Sequence, residues 1–384
     1  MAAAEDQILP APRQSAKLFG HGWVVERIIG AQQVAETAQR LHHAWILAGP
    51  RGVGKATTAW MVARKRMAET SQTQTSAELF GKSSKDDTGF YTIDDVAGDE
   101  NAGSHLVKTG SHPDVMVLER AADARSATIS IEQVRKIGRF LSHRPARGAW
   151  RVAIIDPLDE LSNGAANAML KMLEEPPPQT LLLLVCHNLG RVLPTIRSRC
   201  QLLRLNRLEV HDTAVLLQQH WPDMDAGWQQ LMLAVADGAP GMASIMAASG
   251  ALELYAETLE LIGSKTRDIS TMDNLARRWW MAGGANAERR AMALALFDRL
   301  LSRAAVAACA DADFSGPAKP QSASLPLEMT AVSSLAEGFT AADLAFIHET
   351  MIAALQRAET LNLDGSSILL NHLDKLCSRS LRPL

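Results

Sequence analysis

The sequence predicts an α/β domain with a parallel sheet, followed by a region made only of helices. Up to about residue 207, short continuous apolar runs alternate with helical patterns, which is typical of parallel strands buried between helices. One of these runs leads directly into a glycine-rich loop that ends in a lysine. Beyond about residue 250 the chain is rich in Ala and Leu spaced at a helical period.

The composition narrows the class of protein. The chain has 384 residues, 47% of them hydrophobic, which suits two or three domains and excludes a collagenous or wholly disordered chain. With 39 basic against 42 acidic residues, the formal charge of −3 argues against a protein that coats nucleic acid by bulk positive charge. No apolar run reaches the ~18 residues that a membrane span needs, and residues 1–12 do not resemble a signal peptide. We therefore expect a cytoplasmic protein with no membrane partner.

The four cysteines are Cys186, Cys200, Cys309 and Cys377, scattered with no CxxC pair. This spacing predicts neither a disulfide framework nor a zinc site. Cys186 ends an apolar run and is most simply a small buried side chain.

Four apolar runs are the strand candidates, namely residues 44–48, 115–118, 151–155 and 180–186. Between the first two lies a stretch rich in Ser, Thr, Gly and Asp, residues 69–110, which we interpret as a surface insertion with a solvated loop. The predicted boundaries are 1–207 for the α/β domain, 208–249 for a small helical module and 250–384 for the helical region. Within the last, residues 291–308 predict a helix and the Pro/Ser-rich residues 315–326 predict a loop.

The sharpest motif follows the first predicted strand. Gly49, Gly54 and Lys55 have the spacing of a P-loop, with Gly52 between them, and a helical pattern follows. Glycines let backbone N–H groups turn inward around phosphate oxygens, and the lysine adds a positive charge. The pattern predicts a phosphate-binding loop, or at least the tight strand–helix turn that such a loop makes.

Two positions depart from a working nucleotide site. A P-loop lysine is normally followed by Ser or Thr, whose hydroxyl binds Mg²⁺, but here Ala56 follows. Asp156 ends a strand where a Walker B acid would stand, yet Pro157 occupies the place of the catalytic base. Asp159 and Glu160 are close in sequence but would have to reach back from a turn. Two losses at one site predict a chain that does not hydrolyse ATP.

Downstream, Ser162 or Asn163 predicts the start of a helix that runs to Glu175 and is stopped by three prolines. Arg199 follows the fourth predicted strand. Arginine suits bidentate contact with phosphate, and one supplied by a neighbouring chain can act as an arginine finger, although a solvated surface role is the simpler alternative from chemistry alone.

Taken together, these segments resemble clamp-loader subunits of the AAA+ class, and most closely the delta-prime type of the bacterial DNA polymerase III clamp loader. The resemblance rests on residues 43–57, 111–120, 129–156 and 165–180 and on Ser198-Arg199-Cys200, in that order along the chain. Residues 358–376 are similar to the last helices of the same family.

This resemblance implies a RecA-like AAA+ P-loop domain, a small helical lid and a C-terminal helical collar, with the boundaries given above. It implies that Arg199 is an arginine finger offered to the ATP of an adjacent subunit, with Ser198 and Cys200 fixing its position. The implied partners are tau/gamma and delta subunits in a hetero-pentameric ring, and, through that ring, the sliding clamp and primed DNA. The implied chain is hydrolysis-defective and supports DNA replication.

The sequence also departs from the family pattern. Many members carry a four-cysteine zinc module after the P-loop helix, where this chain has its cysteine-free insertion, so we expect no zinc. Gly241 and Met242 stand where motor subunits place a phosphate-sensing Arg. No cofactor is expected to be required, and Gly54 and Lys55 are compatible with weak ATP or ADP binding without Mg²⁺. An active tau/gamma-type motor remains the alternative, and an unrelated P-loop kinase or transferase is a third.

One motif has no place in this scheme. Arg277 and Arg278 precede the pair Trp279-Trp280, which predicts either a corner where helices pack or an exposed contact.

Overall fold

The computed structural model describes residues 9–38, 43–71, 90–92, 102–119, 128–147, 150–264, 267–281, 286–310, 326–361 and 363–380. The chain divides into two compact units, one made of residues 9–216 with 238–241, the other containing residues 217–237 and 242–384. The predicted three-domain division remains a prediction beside this one.

The first unit contains seven strands and most of the helices that flank them. The strands are β1 (Lys17–Phe19), β2 (Ala44–Ala48), β3 (Phe90–Thr92), β4 (Val115–Glu119), β5 (Arg151–Asp156), β6 (Thr180–Cys186) and β7 (Gln201–Arg204). The helices are α1 (Gly22–Ala38), α2 (Lys55–Ser71), α3 (Ala102–Thr109), α4 (Ile131–Ser142), α5 (Asn163–Glu174) and α6 (Pro194–Arg197). Helix α7 (Val210–His220) crosses the boundary between the units.

Five strands form a parallel sheet in the order β4-β5-β6-β2-β7, and β1 pairs with β3 in a separate antiparallel ribbon. Every residue of β2 and of β6 is buried, as expected for parallel strands covered on both faces. The four predicted strands are all present, two of them one residue longer than predicted. The predicted parallel α/β fold class is confirmed, and it places the end of β2, where the P-loop begins, in the interior of the sheet.

Helix α5 forms as its sequence predicts. The Ser162 hydroxyl accepts the backbone N–H of Ala165 at 3.3 Å, which caps the helix, and the helix ends just before the prolines. Ala166 and Leu173 are buried against the sheet, whereas Leu170 is only half-buried. Met169 is fully buried among apolar side chains, as expected of core filling.

The interpretation of residues 69–110 as a solvated loop was wrong at both ends. Helix α2 continues to Ser71, and residues 102–109 form α3, which packs on α2. Val107 of α3 is fully buried, and Ser104 accepts a hydrogen bond from the buried Arg64 at 3.3 Å. The apolar positions of α3 fall on one face, so this short segment gains a helix by packing. Residues 72–89 and 93–101 lie outside the described residues.

The second unit is helical. After the last part of α7 come α8 (Ala226–Ala236), α9 (Pro240–Ser249), α10 (Ala251–Ser264), α11 (Ile269–Trp279), α12 (Ala287–Ala310), α13 (Pro326–Gly338), α14 (Ala341–Leu361) and α15 (Ser366–Ser378). Helix α12 contains the predicted helix at 291–308 and packs on α13 and α14. The predicted loop at 315–326 lies outside the described residues except Pro326, which begins α13.

The two tryptophans form a packing corner within this helical unit. Trp279 is fully buried, donates its indole N–H to the Thr258 hydroxyl at 3.1 Å and meets Phe297 edge-on. Trp280 is 6% exposed and donates to the Leu363 carbonyl at 3.3 Å. The pair is therefore part of the core and not an exposed contact.

No single helix of the described ranges is both long enough and apolar enough to cross a bilayer, while α8 and α9 together, bent at their junction, meet that test by length and composition.

Candidate functional site

The P-loop sits between β2 and α2, and its glycines are required by their surroundings. A Cβ at Gly49 would lie 2.1 Å from the carbonyl oxygen of Leu205, so only glycine fits there. Gly52 and Gly54 have φ of +82° and +97°, a backbone region that L side chains rarely adopt. The chain thus builds the tight turn that brings loop N–H groups to the start of α2.

Lys55 is 3% exposed, and its ammonium donates to the carbonyl oxygens of Gly49, at 2.8 Å, and Pro50. Burial lowers the pKa of Lys55 to about 8, against the opposing effect of the Asp156 and Asp159 carboxylates. The lysine is therefore held inside the loop, next to acidic groups, with its charge poorly solvated.

The Mg²⁺-binding hydroxyl is missing, as predicted. Ala56 places a methyl group after the lysine. Thr58, the nearest buried hydroxyl, donates to the carbonyl of Gly54 at 2.9 Å within the helix and is fully buried. Its oxygen is therefore committed to the backbone of α2.

Asp156 ends β5 beside Glu119, its register partner at the end of β4. Burial raises the pKa of Asp156 to about 6, and the nearby Glu119 charge raises it further, while Lys55 opposes both. Pro157 then leads into a short 3₁₀ turn, Leu158–Glu160. Asp156 is thus placed where predicted, but it is partly protonated near neutral pH and has no neighbouring base at position 157.

Asp159 has a structural task that sequence reasoning missed. Its carboxylate accepts the backbone N–H groups of His187, at 2.8 Å, and Asn188, at 3.0 Å, and so anchors the end of β6. The Cys186 thiol has its pKa raised to about 12, by burial first and then by the Asp159 charge. Asp159 is therefore occupied and does not replace the missing base.

Two histidines also border the loop, and no sequence motif announced them. His187 follows β6 directly, and burial together with the charge of Lys55 lowers its pKa to about 4. His21 lies between β1 and α1, and burial lowers its pKa, with Lys55 adding to the effect. Their proximity to Lys55 depends on the sheet order, since they lie 132 positions after it and 34 positions before it in the sequence.

The start of α9 contacts the loop. Gly241 donates its N–H to the carbonyl of Gly52 at 2.9 Å, and a Cβ at Gly241 would lie 3.0 Å from the Gly52 Cα. A side chain as large as the phosphate-sensing Arg of motor subunits therefore does not fit at position 241 without moving the loop.

Arg199 lies at the other edge of the sheet. It precedes β7, whose first residue, Gln201, is paired with Trp45, whereas the P-loop begins after Ala48. The four residues from Trp45 to Gly49 correspond to about 13 Å along the strand. Because Arg199 belongs to the amino ends of the strands and the P-loop to their carboxyl ends, this arginine does not serve its own loop.

The guanidinium of Arg199 is exposed but held. Its Nη2 is 2.8 Å from a carboxylate oxygen of Glu174, and its Nη1 donates to the carbonyl of Thr195 at 3.0 Å. Ser198 caps α6 and donates its hydroxyl to the same carbonyl at 3.1 Å. Burial raises the pKa of the Cys200 thiol to about 12. The Ser-Arg-Cys triplet thus makes a fixed turn that presents the arginine to solvent.

Metal ligands are not clustered in the part of the chain that the structure describes: no group of three or more His, Cys, Asp or Glu could hold an ion there. The four cysteines are free thiols. The absence of zinc stays a prediction, because most of the insertion lies outside the described residues.

Comparison with known proteins agrees with the sequence resemblance. Residues 91–209 match the family described as "DNA polymerase III, delta subunit". The delta' subunit of Pseudomonas aeruginosa DNA polymerase III is 29% identical over 237 residues, 62% of this chain and 65% of that protein. The Yersinia pestis delta' subunit is 40% identical over 114 residues, 29% of this chain and 32% of that protein.

The gamma subunit of Buchnera aphidicola subsp. Schizaphis graminum is 28% identical over 201 residues, 52% of this chain and 47% of that protein. The chain thus spans between about a third and two thirds of these relatives. The resemblance to delta'-like clamp-loader subunits is confirmed.

Proposed function

Because its matched segments are similar to DNA polymerase III delta' subunits, we propose that this chain is a delta'-type subunit of a bacterial clamp loader. It helps to load the sliding clamp onto primed DNA during replication, as a member of a hetero-pentameric ring with tau/gamma and delta subunits. In this proposal residues 1–207 are the AAA+ domain, 208–249 the lid and 250–384 the collar, and the chain works in the cytoplasm.

We propose further that the chain does not hydrolyse ATP. Three features of the P-loop site support this: the methyl group of Ala56 replaces the Mg²⁺ ligand, Pro157 replaces the base, and Gly241 replaces the sensing arginine. Each removes a different part of the chemistry, namely metal binding, water activation and charge neutralisation. A site that lacks all three has no route to turnover at a motor rate.

The role of Arg199 is to complete the ATP site of the adjacent subunit. The observation that carries this assignment is the position of Arg199 at the strand edge opposite its own P-loop, exposed and braced by Glu174. A guanidinium held in this way pays little conformational entropy when a phosphate approaches from another chain. As charge develops on the transferred phosphoryl group, the arginine stabilises it electrostatically.

The Glu174 contact does not block this role. Both side chains are partly exposed, at 38% for Arg199 and 48% for Glu174, and an exposed ion pair contributes only about 0 to 1 kcal/mol. A γ-phosphate can therefore displace or share the guanidinium at small cost. Glu174 acts as a positioning residue for the free chain.

The alternative is an active motor of the tau/gamma type, since a gamma subunit is 28% identical over half of this chain. Ala56 and Pro157 argue against it. The purified chain distinguishes the two: phosphate release at a motor-like rate supports the alternative, and its absence supports a delta'-type subunit.

Reconstitution tests the proposal directly. Motor and delta subunits are combined with a sliding clamp and primed DNA, with and without this chain, and clamp loading is followed by a fluorescently labelled clamp. We expect loading only when this chain is present. Equal loading without it contradicts the proposed function.

A further inference from the structure

Two imidazoles beside the P-loop have buried nitrogen atoms without partners. His21 is 5% exposed, and its Nε2 has no hydrogen-bond partner. The Nδ1 of His187 is likewise buried and unpartnered, lying 4.0 Å from the nearest Asp159 oxygen, beyond hydrogen-bond distance. A buried polar atom left without a partner costs about 1 to 3 kcal/mol. Two of them at one site point to a missing ligand.

The charged groups that face these histidines are mostly basic. His187 is influenced by Lys55 at the start of α2, by Arg51 in the loop and by Asp159 after β5; the first two lower its pKa and the third raises it. His21 is influenced by Lys55, which lowers its pKa, and by backbone groups of Val53 and Asn206, which raise it. With burial as the largest cause, both imidazoles are neutral at pH 7, yet each sits where an anion would meet Lys55.

An oxyanion in the loop reverses this balance. Its negative charge offsets Lys55 and Arg51, favours the protonated imidazoles and gives their free nitrogens an acceptor. The loop supplies inward-facing N–H groups through Gly52 and Gly54. None of these contacts needs Mg²⁺, whose usual hydroxyl ligand is absent at Ala56.

We propose that His21 and His187 convert this P-loop into a metal-free site for a small oxyanion, such as sulfate or inorganic phosphate, whose binding is coupled to proton uptake by the histidines. The site selects the charge and shape of a tetrahedral oxyanion, whether free or carried by a nucleotide. It does not depend on the arginine-finger role, since Arg199 lies at the opposite edge of the sheet.

Isothermal titration with sodium sulfate tests this, in EDTA and at constant ionic strength. Sulfate does not change its own charge between pH 6 and pH 8, so any pH dependence belongs to the protein. We expect binding at least about fivefold tighter at pH 6 than at pH 8, since uptake of one full proton gives at most about tenfold per pH unit. Titrations in two buffers of different ionisation enthalpy give the number of protons taken up, which we expect to exceed zero.

The variants His21→Gln and His187→Gln should each weaken the pH dependence, and together reduce it to less than about twofold. His187→Gln alone suffices if the buried His21 variant does not fold, because the His187 side chain is 30% exposed. His105→Gln, an exposed histidine on α3, is the matched control and should leave the dependence unchanged.

Asp156 also titrates near this range, so Asp156→Asn is a necessary comparison. A pH dependence that survives both histidine changes and disappears in Asp156→Asn overturns the proposal. So does the absence of sulfate binding at millimolar concentration at either pH. ADP in EDTA distinguishes the sources of phosphate: binding of ADP with no binding of sulfate shows recognition of the nucleoside and contradicts an oxyanion site.

Discussion

Glu328 is the most consequential buried charge in the helical unit. It is fully buried at the start of α13, and one carboxylate oxygen accepts from Arg299 at 2.9 Å and from the Tyr255 hydroxyl at 3.3 Å. The other oxygen lies 3.3 Å from Arg299 and 3.4 Å from Arg303. This carboxylate ties α13 to α10 and α12, so its charge matters for the stability of the unit.

The substitution Glu328→Gln keeps the side-chain size but leaves two guanidinium groups, 15% and 20% exposed, without a counter-charge. Removing one partner of a buried ion pair costs about 3 to 5 kcal/mol. The glutamine oxygen still accepts a hydrogen bond, so we expect a loss near the lower end, about 3 kcal/mol. Glu132→Gln, whose pair with Arg135 is more than half exposed, should cost less than about 1 kcal/mol.

Urea unfolding, followed by tryptophan fluorescence, measures the difference. Trp279 is buried in the same helical unit and reports on it. With a denaturant slope of about 1 to 3 kcal/mol/M, the transition midpoint of Glu328→Gln should fall by at least about 1 M. A midpoint shift no larger than that of Glu132→Gln refutes the reasoning that this carboxylate holds the helices together.

Three further predictions concern the P-loop. Ala56→Thr should not restore ATP hydrolysis, because the base position still holds proline; phosphate release at a motor-like rate would contradict this. Gly49→Ala should lower the thermal midpoint or prevent soluble expression, since its Cβ would lie 2.1 Å from the Leu205 carbonyl, whereas Gly30→Ala in α1, with nothing within 4 Å, should stabilise by about 0.5 to 1 kcal/mol. Because burial lowers the pKa of His187 to about 4, the folded state binds fewer protons than the unfolded one, so stability should fall as the pH drops from about 6.5 to 4; denaturation of His187→Gln across that range should show a smaller fall.

Much of the α/β unit could be predicted because its strands announce themselves locally. The run at Thr180–Cys186 is continuous, apolar and buried throughout, and the P-loop spacing is a local pattern. Strand β7 was missed because Gln201 to Arg204 is short and mostly exposed, and only pairing with β2 makes it a strand. Helix α3 was missed since its polar surroundings resemble a loop until α2 is present to pack against it.

The candidate site was predictable only where its residues lie together in the sequence. Ala56 and Pro157 could be assessed from the motif alone. The anchoring of the β6 end by Asp159 joins residues 28 and 29 positions apart, and the approach of His21 and Gly241 to the loop spans a larger separation still. Such contacts follow from the order of the strands and the path of the chain, which no local pattern encodes.

The central claim is that Arg199 acts on the ATP of a neighbouring subunit, and single-turnover hydrolysis in the reconstituted ring tests it most directly. Arg199→Ala is compared with Arg197→Ala, an equally exposed arginine two positions earlier. An arginine finger contributes about 10³-fold or more to the site it serves. We therefore expect Arg199→Ala to assemble normally but to leave one site hydrolysing at least about 100-fold more slowly, with Arg197→Ala unchanged. Unaltered hydrolysis in an assembled Arg199→Ala ring would contradict the account.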